Sequence, residues 1–90
     1  MRSLDLDYNN IDDNDCGYLG AALKEMKGMT TLGLDHNKIT DIGIEKLVPA
    51  LKEMKGMTSL RLHNNNITNA GKNQILEVCK SYKNVERCVF

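Results

Sequence analysis

Leucines recur along this chain in a pattern that changes period and then starts again. In Leu4-x-Leu6, Leu32-x-Leu34 and Leu60-x-Leu62, apolar and polar positions alternate, the period of a strand with one buried face. Further on the spacing becomes i, i+3, i+4, i+7, as in Leu47, Ala50, Leu51 and Met54, and in Leu19, Ala22, Leu23 and Met26. That spacing lays one apolar stripe along a helix. A strand followed by a helix, repeated, predicts parallel strands side by side, with the helices returning behind one face of the sheet.

The pattern divides the chain into copies at 1–28, 29–56 and 57–84, opened by Met1, Met29 and Met57, with a partial fourth strand at 85–90. Leu4, Leu6, Asn9 and Ile11 fall under Leu32, Leu34, Asn37 and Ile39, then under Leu60, Leu62, Asn65 and Ile67. Self-similarity at a fixed period marks a stacked repeat architecture. The shared motif reads LxxLxLxxNxI, and in it the chain resembles the leucine-rich repeat family. The full helix in each copy is similar to the ribonuclease-inhibitor-like subtype. The resemblance implies one α/β domain over 1–90, a right-handed solenoid arc with parallel strands on the concave face and helices on the convex face. It also implies that residues between the leucines are the usual ligand contacts.

Asn9, Asn37 and Asn65 stand where the chain leaves each strand, and a buried turn leaves backbone donors and acceptors in need of partners. An asparagine ladder serving the turns is expected. Asp13, Asp41 and Asn69 stand before the helical stripes as expected N-caps, and Gly28 and Gly56 follow as expected C-terminal stops. Asp15 departs from the pattern, occupying the slot of Gly43 and Gly71. Pro49 falls inside the second helix and predicts a local loosening, with its ring pointing outward. The run ALKEMKGM, present at 22–29 and 50–57, is read as a solvated helix face produced by duplication.

Twelve basic and twelve acidic residues cancel, so no electrostatic footprint for nucleic acid or membrane is expected. No apolar run is long enough for a signal peptide or a membrane span. Cys79 occupies the slot of Leu23 and Leu51, and Cys88 that of Leu4, Leu32 and Leu60. Both are read as small core hydrophobes rather than disulfide or metal partners, which favours a reducing, cytoplasmic setting.

Strand residues facing away from the leucines form rows across the sheet. One is Ser3, Thr31, Ser59 and Arg87; the next is Asp5, Gly33, Arg61 and Val89; the third is Asp7, Asp35 and His63, with Tyr8, His36 and Asn64 following at the strand ends. Gly33 is expected to leave a dip facing solvent, and Asp35 to lie beside His63. The rows run from acidic to basic, and tyrosine and arginine are enriched at interface hot spots. Asp5, Asp7, Tyr8, Asp35, His36, Arg61, His63 and Arg87 are therefore the candidate partner-binding residues.

No serine-histidine-acid spacing or glycine-rich phosphate loop occurs, so no enzyme, catalytic residue or cofactor is expected. Asp35, His36 and His63 lack the fixed spacing of a metal-ligand set. The expected function is a non-catalytic protein-protein interaction module that binds a protein partner on its concave sheet face. The alternatives are a self-assembling structural repeat fragment and, implied by the resemblance alone, a regulatory subunit acting on a small GTPase. Uncovered end repeats predict a homodimer.

Overall fold

A computed structural model describes residues 2–90. Four short strands, β1 (Ser3–Asp5), β2 (Thr31–Gly33), β3 (Ser59–Arg61) and β4 (Arg87–Val89), form one parallel sheet in chain order. Between them run α1 (Asp13–Leu23), α2 (Asp41–Glu53) and α3 (Asn69–Ser81). This is the α/β solenoid that the alternating periods predict. Strand register follows the repeat, with Leu4 opposite Leu32, Leu32 opposite Leu60 and Leu60 opposite Cys88. The leucines of β2 and β3 point into one continuous core with Ile44, Leu47, Leu51, Ile75 and Val78 from the helices. α2 runs through Pro49 without a break, and Pro49 is exposed.

The asparagine ladder forms. Buried Asn37 accepts the amides of Asn9 and Ile11 through Oδ1, both at 2.9 Å, and donates through Nδ2 to the carbonyls of Leu6, Leu34 and Asp35. Asn65 accepts the amide of Ile39 at 3.0 Å and donates to the carbonyls of Leu34 and Leu62. Each asparagine thus ties its own turn to the turn before it, which satisfies backbone groups that burial would otherwise strand.

Helix capping differs from expectation by one residue. The N-caps are Asp12, Thr40 and Thr68, and Asp13 and Asp41 reach into the next repeat instead. Asp13 Oδ1 accepts the amides of Thr40 (2.8 Å) and Gly43 (3.0 Å), and its Oδ2 accepts the Thr40 hydroxyl at 2.5 Å. Asp41 accepts the Thr68 amide at 2.9 Å and the Thr68 hydroxyl. A carboxylate thereby serves the orphan donors and positive end of the following helix. At Asp13 burial works to raise the carboxyl, but the hydrogen bonds from Thr40 and Gly43, with Lys46 nearby, outweigh it and hold it below the ordinary value. The Thr68 hydroxyl and amide do the same for Asp41.

Glycine is required at the receiving end. A Cβ on Gly43 would stand 2.5 Å from Asp13 Oδ1, and one on Gly71 would overlap Asp41. Asp15 can fill the equivalent slot because no described residue of an earlier repeat reaches it. It closes a reciprocal capping box with Asp12, each carboxylate accepting the other residue's amide.

Three further expectations are corrected. Gly28 and Gly56 are not helix-ending residues, since α1 and α2 finish at Leu23 and Glu53 and no described glycine has positive φ. Ala22 is exposed, unlike its fully buried counterpart Ala50, because α1 has a neighbouring helix on one side alone. Cys79 and Cys88 are joined by a disulfide. Their slots hold Leu23 with Leu32, and Leu51 with Leu60, in the other repeats, positions where helix and following strand meet in the core. The bond ties β4 to α3 and removes the cysteine argument for a reducing compartment. Cys16 stays free, its thiol pushed up to about 12 by burial and by the charge of Asp13.

Candidate functional site

The candidate residues fall into two groups on the sheet side, and Arg87 stands apart from both. The first group is built around Arg61, which leaves β3 and folds back across β2. Its Nη2 lies 3.3 Å from Asp7 Oδ2 and 3.8 Å from Asp5 Oδ1. The path crosses Gly33, where a Cβ would overlap the guanidinium. The expected dip is therefore filled, and Gly33 is buried rather than facing solvent. Sequence rows place Gly33 and Arg61 side by side, but they do not tell which way a long side chain turns.

Asp7 and Asp35 have structural partners as well. Asp7 Oδ1 accepts the Asp35 amide at 2.8 Å, and Asp35 Oδ1 accepts the His63 amide at 2.7 Å. Asp35 thus meets the backbone of His63 through a second ladder, one strand to the next, just past the last paired residues. Asp5 accepts the Asp7 amide at 3.0 Å and keeps a largely exposed side chain.

The second group lies at the strand ends. Tyr8, His36 and Asn64 occupy equivalent positions with φ of 60°, 58° and 60°, a left-handed conformation uncommon outside glycine. The turn directs their side chains outward in a file. The Tyr8 and His36 rings stack with centroids 4.3 Å apart and planes within 8°, and His63 meets His36 edge-on at 6.4 Å. Asn64 Nδ2 sits 3.0 Å from His36 Nε2 and 3.4 Å from His63 Nδ1. Asn64 is the member that the sequence rows contain but the candidate set omits. Its signal was its slot beneath Tyr8 and His36. Among the described residues no three His, Cys, Asp or Glu side chains converge as a metal site, and no helix is long and apolar enough to cross a membrane.

Arg87, exposed on β4, pairs with Ser59 in the sheet and makes no ion pair among the described residues. Beyond it, at the last repeat, Leu62, His63, Asn64, Asn65, Ile67, Lys72 and Phe90 line an open cleft of about 310 Å³.

A parallel sheet in which each of the first three strands is followed by an asparagine turn and a helix defines a repeat protein. Residues 1–20 and 29–48 each match the family model described as "Leucine Rich repeat", which marks these two copies as leucine-rich repeats. Among solved structures it is similar to "Leiomodin-1 Actin-Binding Site 2 (ABS2)", with a TM-score of 0.80 and 26% identity over 99% of this chain. The chain spans about half the length of that structure, 52%. No curated protein sequence matches it.

Proposed function

We propose that the protein is a non-catalytic module that binds a protein partner across its concave sheet face and the adjoining strand-end file. The observation that carries this reading is the contrast between the two faces of the sheet. One is filled by leucines, and the other presents polar side chains in registered rows, ending in Tyr8, 74% exposed at the head of a ring stack. A large, rigid aromatic on an ordered backbone loses little entropy when a partner covers it. The solved structure of similar fold is named for binding actin, so actin is the first partner to test.

The test is a fluorescence titration of the labelled protein with actin. The double variant Tyr8→Ala, Arg87→Glu should weaken binding at least tenfold. Tyr18→Ala with Leu76→Ser, both exposed on the helical side, should leave it unchanged. Equal loss from the two variants would reject the concave face, and no binding by the unaltered protein would reject actin.

A second reading, pairing of two copies through their C-terminal ends, rests on the open cleft beside the free edge of β4. An uncovered strand edge is a template for association, and pairing like ends closes after two chains. Head-to-tail stacking is disfavoured, because Asp15 occupies the slot where each inner junction needs glycine. Light scattering across a hundredfold dilution tests this, and a constant monomer mass would refute it.

A further inference from the structure

The position of Arg61 is a compromise. Its tip reaches Asp7 and Asp5, but its Nε is buried and has no hydrogen-bond partner. A buried donor left without an acceptor is uncommon in a folded protein and unfavourable. The cause is geometric. To reach β1 from β3 the side chain must lie flat over Gly33, and in that pose Nε is shut off from solvent. The guanidinium therefore forgoes the planar fork, with Nε and one Nη donating together, in which it best receives a carboxylate.

We propose that Arg61 is a latch over the concave face, and that the partner is a protein segment carrying an acidic group above β3 and a basic group above β1. The proposal rests on the concave reading given above. The acidic group draws the guanidinium off Gly33 and satisfies Nε. Asp5 and the outer oxygen of Asp7 are then free for the basic group. Release does not unravel the sheet, because Asp7 holds the Asp35 amide through Oδ1 and Arg61 through Oδ2. Two strand spacings separate β1 from β3, about 10 Å, so the two charges of the partner must lie about that far apart.

The experiment is an NMR titration of the protein with the end-blocked peptide Lys-Gly-Gly-Glu, following the Arg61 Nε–H and Gly33 amide signals. Both should move, and replacing the peptide's Glu by Gln should abolish the shift. Gly33→Ala, whose methyl ousts the guanidinium from its seat, should bind the peptide at least tenfold tighter. Arg61→Gln should bind it at least tenfold more weakly while keeping the other amide signals in place. A stationary Arg61 Nε–H signal overturns the latch, as does Gly33→Ala binding no tighter than the unaltered protein. Should Gly33→Ala not fold, the Arg61→Gln comparison decides alone. These signals report on β2 and β3 directly. A protein partner found on the helical side would overturn the concave reading without altering the peptide result.

Discussion

The first repeat and the central repeat carry nearly the same residues at the same positions, yet the fold gives them different work. Leu34 is fully buried, whereas Leu6 in the same slot is partly buried. Asn37 bridges two turns, whereas the Asn9 side chain, among the described residues, bonds no further than the carbonyl of Asp7. The start of α2 is served by a carboxylate from the repeat before it, whereas α1 caps itself. Motif identity sets what a side chain can do, and neighbours on both sides decide how much it does. In a solenoid each unit contacts its neighbours alone, so an end unit lacks half of its interfaces.

The largest expected difference lies in the leucines. Leu34→Ala should cost about 2 to 5 kcal/mol, the range for emptying a close-packed site. Leu6→Ala should cost less than half as much, because its surroundings are open and can relax. Urea melts of the two variants check this, and equal midpoints would mean that the first repeat is as well covered as the second.

The asparagines come next. Asn37→Ala strands the buried amide of Ile11 and the carbonyl of Leu6, at roughly 1 to 3 kcal/mol. Asn9→Ala should change stability by at most about 0.5 kcal/mol, as for an exposed site. A stable Asn37→Ala protein with lost partner binding would overturn the structural role.

The glycines should differ in sign. Gly17 lies exposed in α1 with no atom nearer than 3.9 Å to an added Cβ, so Gly17→Ala should stabilise by about 0.5 to 1 kcal/mol through helix propensity. At Gly43 the methyl meets Asp13 Oδ1, Ile39 Cγ2 at 2.9 Å and Cys16 Sγ at 3.0 Å. Gly43→Ala should destabilise by about 1 to 3 kcal/mol despite the same propensity gain. Thermal melts that shift upward for both variants would show that the junction relaxes freely.

What could be read from the letters follows from the range of each interaction. Strand register, the buried leucines and the asparagine turns recur at the same slots in successive copies, so alternation and spacing reveal them. The aspartate junction does not, since Asp13 looks like a local N-cap and its partners Thr40 and Gly43 belong to another copy. One signal for it was present. Glycine appears in the helix slot where an aspartate precedes it one copy earlier, and Asp15 appears where none does. Slot equivalence assigns Cys79 and Cys88 to apolar core positions and says nothing of oxidation, so it does not reveal that they are a bonded pair. In the site, the rows were legible and the contacts were not. Arg61 chooses Asp7 over solvent, and Asp35 chooses the amide of His63 over its ring, through side-chain geometry that a strand pattern does not encode.

The smallest expected effect tests whether the junction carboxylates act as ions. Both Asp13 and Asp41 are held below the ordinary carboxyl value in the folded chain. A depressed folded pKa means that the unfolded chain binds protons more readily, so this contribution is complete above the unfolded value of about 3.9 and is lost as pH falls through the folded value. Asp13→Asn with Asp41→Asn keeps an acceptor oxygen for the threonine and glycine amides but removes the charge that helix N-termini favour. At pH 7 the double variant should melt below the unaltered protein. The gap should close as the pH falls from 7 through the folded values of the two carboxyls, where the native carboxylates take up protons as well. A gap that stays constant across that range would assign the junction to shape and neutral hydrogen bonding. The first repeat, which builds its helix start without a preceding aspartate, would then differ from the others in geometry alone.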